Sequence, residues 1–340
     1  MIKIYDTNHK FLSLLDSFCK DIYTIDTLEL GIRELCFLVP CKDEYFDMVQ
    51  EENYVETADY SYVIKEVQSK NNSFIAVRCG PNIEALQGHL FQHFDCFELG
   101  LPQAYEYCVA TTGWQVAYHS KDKSIATYQE PYKDAYTMIK TIAQDYGQEL
   151  WFDTKTKTLH VYDKMGQQLG AYFSNELRLK LLTKQSTSYD YATVVYPVGK
   201  DGLLISNVNN GKPYLENFSY SNKYIEKAFV AEDIDIPEIL KQKAEEYLEE
   251  IAVPRASYKV KLTDIGDNVA IGDTIMLVDK IKRIRQKQRV VKIVRYPYAP
   301  ENSTIEVSNL EPNFVNSYVK GTKEVKKEIS YLKKLYENLE

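Results

Sequence analysis

The sequence lacks the local signatures that mark common catalytic sites. Its 340 residues contain no Gly-x-Ser-x-Gly nucleophile elbow, no His-Glu-x-x-His zinc motif, no phosphate-binding loop, no Gly-x-Gly-x-x-Gly fingerprint and no EF-hand loop. Because catalytic triads are assembled in space from distant residues, these absences do not exclude an enzyme. They make a non-enzymatic protein the leading hypothesis, and nothing in the sequence indicates a cofactor.

Long apolar runs, paired cysteines and an excess of positive charge are also missing. No stretch approaches the roughly 18 apolar residues of a membrane span, and the N-terminus has no apolar signal-peptide core. The six cysteines, all in the first third, form no Cys-x-x-Cys pair, so we expect them to be reduced and mostly buried. A net charge of −8 does not fit a protein that binds nucleic acid over its whole surface. We therefore expect synthesis in a cytoplasm and no membrane partner.

Tyrosine, with 28 residues, is the unusual part of the composition. Tyrosine favours strands and interfaces, because it joins an apolar ring to a polar tip. Runs of strand-forming residues predict strands at 22–30 and 33–39 and a hairpin of 61–67 with 73–79. Such short, closely spaced strands are typical of a barrel or a sandwich.

Helical patterns interrupt this strand-rich sequence in three places. The spacing of apolar residues predicts helices at 102–112, 132–146 and 237–254. Two predicted strands, 150–153 and 158–162, follow the second helix and complete a small α+β unit. Strand patterns resume after that unit, which indicates an insertion into the first β region. The predicted fold is β-rich, multidomain and α+β.

Predicted domain boundaries follow from this pattern. They are a first β domain at 1–85, an inserted α+β domain at 86–175, a return to the first β domain at 176–235, a second β domain at 236–311 and a helical segment at 312–340.

One predicted hairpin carries a dense positive charge. Its basic residues are Lys280, Lys282, Arg283, Arg285, Lys287, Arg289, Lys292 and Arg295, with no acid among them. They could contact phosphates of a passing nucleic acid. We favour an exposed hairpin that pairs with acidic neighbours, because the run contains no aromatic residue on which a base could stack.

The last segment carries a heptad pattern. Tyr318, Thr322, Val325, Ile329, Leu332, Tyr336 and Leu339 follow one another at alternating spacings of four and three residues. This spacing predicts an oligomeric helical interface of about three heptads. Glu328 and Lys333 fall where parallel helices could form an ion pair.

Several side chains could support other chemistry. His89, His93 and Cys96 could hold zinc, Cys108 with His119 could form a thiol nucleophile, and Asp264, Asp267 and Asp273 could bind calcium. In each case we favour a structural interpretation: partly buried residues, a buried cysteine, and turns beside glycines. The alternative functions are a cell-wall peptidase that uses His89, His93 or Cys108, and a carbohydrate-binding module that uses its tyrosines.

Six stretches of the sequence together resemble a known family. They are Thr112-Gly113-Trp114, Gly147-Gln148-Glu149-Leu150-Trp151-Phe152-Asp153, Tyr196-Pro197-Val198-Gly199-Lys200-Asp201-Gly202-Leu203, Gly272-Asp273-Thr274, Arg289-Val290-Val291-Lys292-Ile293 and Pro300-Glu301-Asn302-Ser303-Thr304-Ile305-Glu306. In order and spacing, over roughly residues 60–310, the chain resembles the N-terminal hub region of prophage endopeptidase tail, or tail-associated lysin, proteins.

This resemblance implies a fold and a role. Hub proteins have two tube-like β-barrels in each subunit, and three subunits form a ring with pseudo-sixfold symmetry that closes a tail tube. The expected partners are further copies in a trimer, tail-tube and distal tail proteins, and a fibre or receptor-binding protein, with DNA only in passage. The expected location is the virion tail tip, after synthesis in a bacterial cytoplasm.

The sequence departs from larger members of the family in one respect. Those members carry C-terminal hydrolase or receptor-binding modules, whereas this chain ends at Glu340 soon after the heptads. We therefore do not expect peptidase activity from the family resemblance.

Overall fold

The computed structural model describes residues 2–14, 19–42, 48–69, 73–174, 179–232, 234–262, 269–279 and 284–308. Its strands are β1 Lys3–Tyr5, β2 Phe11–Leu14, β3 Lys20–Thr27, β4 Ile32–Pro40, β5 Tyr54–Glu56, β6 Ser61–Ser69, β7 Phe74–Pro81, β8 Leu90–Gly100, β9 Gln115–Tyr118, β10 Ile125–Asp134, β11 Glu149–Asp153, β12 Thr158–Tyr162, β13 Gln168–Ser174, β14 Leu179–Thr187, β15 Val194–Gly199, β16 Leu215–Glu216, β17 Glu226–Ala231, β18 Arg255–Leu262, β19 Thr274–Asp279, β20 Ile284–Arg295 and β21 Thr304–Ser308.

Helices are few. They are α1 Glu84–Gln87, α2 Leu101–Val109, α3 Ala135–Asp145 and α4 Pro237–Ile251, with 3₁₀ turns at Lys200–Gly202, Ser206–Val208 and Pro300–Asn302. The described residues divide into two compact units. Unit 1 is Met1–Leu182 with Lys259–Val307, and unit 2 is built around Thr183–Tyr258. The β-rich character predicted from the sequence is confirmed.

A thirteen-stranded sheet forms most of unit 1. Its strands run in the order β14-β18-β21-β20-β3-β4-β7-β6-β5-β1-β2, and β19 joins β20 and β13. The antiparallel pair β20–β3 places Ile293 opposite Asp26, so strands from both ends of the sequence share this sheet. Within the described residues no sheet closes on itself, so neither of the two expected β-barrels is seen as a closed barrel.

The core of this sheet follows from strand alternation. Leu35, Phe37 and Val39 of β4 are almost fully buried, and they alternate along the strand as one face of a sheet requires. They pack with residues of β1, β6 and β7 in one cluster, which includes Ile4, Ile64, Val77 and Cys79. Burial of each large apolar side chain contributes about 1.5–3 kcal/mol, which fixes the register of the sheet.

Residues 84–162 form the inserted α+β unit within unit 1. A two-stranded ribbon, β8 with β10, and a three-stranded sheet, β11-β12-β9, share one core with α2 and α3. The helices at 102–112 and 132–146 are confirmed with shorter bounds. Strand β10 continues to Asp134, whose carboxylate then accepts a hydrogen bond of 2.9 Å from the backbone N–H of Thr137 and starts α3.

Unit 2 contains a small sheet, β16-β15-β17, with α4 packed on it. The predicted helix at 237–254 is confirmed and ends at Ile251. Its buried residues, Leu240, Ala244, Leu248 and Ile251, repeat at helical spacing and pack with Val195 and Phe229.

Candidate functional site

A buried ion pair joins the inserted α+β unit to the main sheet. Arg289 of β20 binds Glu149 of β11 in a bidentate manner, with N–O distances of 2.5 and 2.6 Å. The two side chains are only 6% and 5% exposed. Arg289 also donates to the carbonyl oxygens of Gly272, at 3.0 Å, and Met165, at 2.7 Å. Such a pair is stabilising only when its remaining donors are satisfied, which these carbonyls provide.

Two glycines let the backbone segments at this pair approach each other. Gly166 and Gly272 have φ of +89° and +85°. A Cβ on Gly166 would lie 2.2 Å from the carbonyl carbon of Gly272, and a Cβ on Gly272 would lie 2.6 Å from the Met165 oxygen. Only glycine avoids both the left-handed backbone strain and these clashes. We call Glu149, Met165, Gly166, Gly272, Asp273 and Arg289 the 149–289 junction.

Asp273 completes the junction with both carboxylate oxygens. Oδ1 accepts from the backbone N–H of Gln167 at 2.7 Å, and Oδ2 accepts from that of Ala270 at 2.8 Å. The turn interpretation of Asp273 is therefore the one that this geometry supports, rather than calcium binding. Asp264 and Asp267 lie outside the described residues.

A second set of contacts fastens the same strand, β11, to the main sheet. The buried Tyr60 hydroxyl donates to the Phe152 carbonyl at 2.7 Å, and the backbone N–H of Phe152 donates to Gly31 at 2.9 Å. Thr154 Oγ1 accepts from the N–H of Ser61 and donates to its carbonyl, both at 2.8 Å. Burial raises the pKa of Tyr60, so its hydroxyl stays protonated and keeps donating. The inserted unit is thus held at two separate places.

Arg33 stands beside this second set of contacts. Its guanidinium binds Asp26 at 2.6 and 3.0 Å and Asp59 at 2.8 Å. It also lies 5.8 Å from the Tyr60 ring centre and 5.9 Å from that of Trp151, within cation–π range. Burial acts to lower the pKa of Arg33, but the hydrogen bond and charge of Asp26 outweigh it and raise the pKa.

The basic residues of the predicted hairpin differ in their solvent exposure. Strands β19 and β20 pair antiparallel, with Met276 opposite Lys287. Arg285 and Lys287 are exposed, whereas Arg289 is buried in the 149–289 junction and does not belong to an exposed basic face. Lys280, Lys282 and Arg283 lie outside the described residues, as do the heptad positions Tyr318, Val325, Ile329, Leu332, Tyr336 and Leu339.

The residues considered for zinc binding lie in extended chain rather than on a helix. His93 is an exposed residue of β8 opposite Pro131, and Cys96 is buried with its thiol facing the Ala126 carbonyl at 3.8 Å. His89 directly precedes β8, which begins at Leu90, so no helical turn places it on one face with His93. Within the part of the chain that the structure describes, no group of three or more His, Cys, Asp or Glu is placed to hold a metal ion.

Cys108 is a fully buried residue of α2. Burial raises the pKa of its thiol, which disfavours the thiolate that a nucleophile needs. His119 instead faces His160, with 3.1 Å between His119 Nε2 and His160 Nδ1. The buried-cysteine interpretation fits these contacts.

Among the described residues, no helix combines the length and the apolar character that a membrane crossing requires.

Three solved structures share this fold over nearly the whole chain. Prophage tail protein gp18 of Listeria monocytogenes EGD-e matches with a TM-score of 0.66 at 15% identity, over 96% of this chain and 99% of that one. The prophage MuSo2 43 kDa tail protein of Shewanella oneidensis matches with a TM-score of 0.65 at 13% identity, over 92% of this chain and 98% of that one. The tail protein of Neisseria meningitidis MC58 matches with a TM-score of 0.62 at 11% identity, over 92% of this chain and 98% of that one. The fold is therefore that of phage tail proteins.

Two family models match the sequence itself. The prophage endopeptidase tail N-terminal domain matches residues 2–79, and the prophage endopeptidase tail model matches residues 167–318. Together they cover more than half of the chain, so it belongs to the prophage endopeptidase tail family. The chain is a structural protein of a phage or prophage tail, and the resemblance drawn from the sequence is confirmed. Comparison with curated proteins gives no match.

The signal for the 149–289 junction was present in the sequence but scattered. Glu149, Gly272 with Asp273, and Arg289 belong to three of the six stretches that carry the family resemblance, and the structure brings them together. Sequence reasoning placed Arg289 in a basic run and did not find its partner, because Glu149 is 140 residues away.

Proposed function

We propose that the chain is a hub subunit at the tip of a phage tail, where three copies form a ring that closes the tail tube. One observation carries this proposal: among the described residues, the main sheet of a single chain does not close on itself. An open sheet leaves edges that a neighbouring chain can extend, and a head-to-tail contact of this kind closes into a ring when the rotation permits. In this proposal the strands of 1–85 and 255–310 are two β modules of one tube wall, so that three copies match a sixfold tube.

The inserted α+β unit has a mechanical role in this proposal. A ring between a tube and a fibre or lysin transmits force, so its parts must keep their relative positions. The 149–289 junction and the Tyr60–Phe152 contact hold β11 against the main sheet at two places. Buried polar contacts of this kind favour one arrangement over others of similar packing.

The basic residues of β20 and the heptad segment have secondary roles in the proposal. Arg285 and Lys287 are exposed residues of β20 and are candidates for a surface that faces the lumen or a neighbouring subunit. In the lumen they would contact DNA only while it passes through the tube. The heptad residues 318–339 are candidates for oligomer contact. The partners are the tail tube, a distal tail protein and a fibre or receptor-binding protein.

Assembly with the tube protein tests this function. The chain is mixed with purified tail-tube protein and imaged by negative-stain electron microscopy. We expect threefold rings at one end of each tube. Tubes with bare ends, or a cap with a symmetry other than three, would contradict the proposal.

We propose in addition that the chain has no peptidase activity of its own. The buried thiol of Cys108 and the separation of His89 from His93 along extended chain support this. A peptidoglycan zymogram of the purified chain should remain without a clear zone. A clear zone that disappears in His93→Ala would establish the enzyme alternative.

A further inference from the structure

Two histidines at one end of the inserted unit face each other. His119 follows β9 and is exposed, and His160 lies in the neighbouring parallel strand β12 and is half-buried. Their ring planes are within 6° of each other, and His119 Nε2 lies 3.1 Å from His160 Nδ1. One imidazole donates its N–H to the other in this arrangement. The pair has no part in the hub function proposed above.

The surrounding contacts hold the two imidazoles in place. The backbone N–H of His119 donates to the Val161 carbonyl at 2.8 Å, which ties the end of β9 to β12. The Asp163 carboxylate accepts from Ser120 Oγ and, at 2.9 Å, from the N–H of Lys121. The Tyr162 ring stacks on His119 with 4.6 Å between ring centres. The pair is therefore carried by two chain segments that hydrogen bonds join, and such an ordered backbone can position ligands.

We propose that His119 and His160 form a two-histidine site for a divalent transition-metal ion such as Zn²⁺. Two nitrogens that bind one ion at about 2.0–2.1 Å, at angles between a right angle and a tetrahedral angle, lie roughly 2.9–3.4 Å apart. The observed separation of 3.1 Å falls in this range. Binding requires both rings to rotate, so that their lone pairs turn from each other toward the ion.

The proton count permits this binding. Each neutral imidazole carries one N–H, which can move to the nitrogen that faces away from the partner, so the ion displaces no proton from a neutral pair. Neutral imidazole ligands suit Zn²⁺, Ni²⁺ and Cu²⁺, whereas Ca²⁺ and Mg²⁺ prefer oxygen.

Two protein ligands leave the other coordination positions to water. This is fewer than the three of catalytic zinc sites or the four of structural ones. We therefore expect reversible binding that the fold does not require, so that the chain stays folded when a chelator removes the ion.

Calorimetric titration of the full chain with Zn²⁺ tests the site. We expect one ion per chain, and an affinity lower by about tenfold or more in His119→Gln and in His160→Gln. His89→Gln and His93→Gln are matched controls that should bind as the wild type does, and circular dichroism checks that every variant is folded. The proposal is overturned by absence of Zn²⁺ binding to the wild-type chain, by unchanged binding in either pair variant, or by loss of binding in a control.

Discussion

Arg289 and Glu149 form a bidentate, almost completely buried ion pair, although 140 residues separate them in the sequence. The pair connects β20 of the main sheet with β11, an edge strand of the three-stranded sheet in the α+β unit. Its geometry explains why Arg289 is buried although Arg285 and Lys287 of the same strand are exposed. It also gives the protein a point at which single substitutions have large, specific effects.

Removal of Glu149 leaves a buried guanidinium without its counter-ion. We expect Glu149→Ala to lower the free energy of unfolding by about 3–5 kcal/mol, because the charge of Arg289 stays in the interior. Urea denaturation followed by circular dichroism measures this loss. Glu52→Gln is the control: it breaks the exposed ion pair with Lys65 and should cost about 0–1 kcal/mol. Equal losses in the two variants would contradict the account.

Replacement of both partners gives a second test of the same contact. In Glu149→Leu with Arg289→Leu, no buried charge remains unpaired. The double variant should therefore be more stable than either single variant, with a coupling free energy of about 0.5–3 kcal/mol. Strict additivity of the two single effects would show that the side chains act independently.

The close backbone approach at Gly272 predicts a sterically specific effect. Gly272→Ala adds a Cβ 2.6 Å from the Met165 oxygen at a φ of +85°. Gly113→Ala is the matched control, since its φ is +76° and its Cβ would meet no atom within 4 Å. We expect the control to cost about 1–2 kcal/mol for the left-handed backbone alone, and Gly272→Ala to cost more. Thermal unfolding of both variants measures the difference, and similar midpoints would rule out the clash.

The second attachment of β11 includes the buried hydroxyl of Tyr60. Tyr60→Phe leaves the Phe152 carbonyl without its 2.7 Å donor in a buried place, so we expect a loss of about 1–3 kcal/mol. Tyr298, which is 70% exposed, supplies the control Tyr298→Phe, for which we expect almost no change. Guanidinium denaturation compares the two, and a Tyr60→Phe variant as stable as the control would remove this contact from the account.

Cysteine reactivity separates a structural thiol from a catalytic one. Burial raises the pKa of the Cys108 thiol, so its thiolate is scarce at pH 8. We therefore expect that iodoacetamide does not alkylate Cys108 in the folded chain. The partly exposed Cys41 should react first. Peptide mass spectrometry locates the label. Preferential alkylation of Cys108 would instead indicate an accessible nucleophile.

Local patterns in the sequence predicted the elements whose signals are local. Pro237 and the apolar spacing that follows it specified α4, and the strands 150–153 and 158–162 flank a polar turn, so both are found. The ribbon β8–β10 was missed. Phe91, Phe94 and Phe97 do not alternate as one strand face does, and the left-handed residues Glu98 and Tyr132 interrupt the pattern.

Long-range pairing accounts for the rest of what the sequence did not reveal. The β20–β3 pairing joins residues that lie far apart in the chain, and hydrophobic alternation does not specify which strand becomes a neighbour. For the same reason the charge of Arg289 was assigned to a surface. Arg285 and Lys287 of the same strand are exposed, but the partner of Arg289 comes from the inserted unit.

Cryo-electron microscopy of the chain assembled on its tail tube tests the central claim most directly. The account predicts three copies around the axis, with the main sheet of each copy hydrogen-bonded to strands of the next so that the wall of the ring is continuous. A map in which the sheet of each chain closes on itself, or in which adjacent copies meet without shared strands, would contradict it.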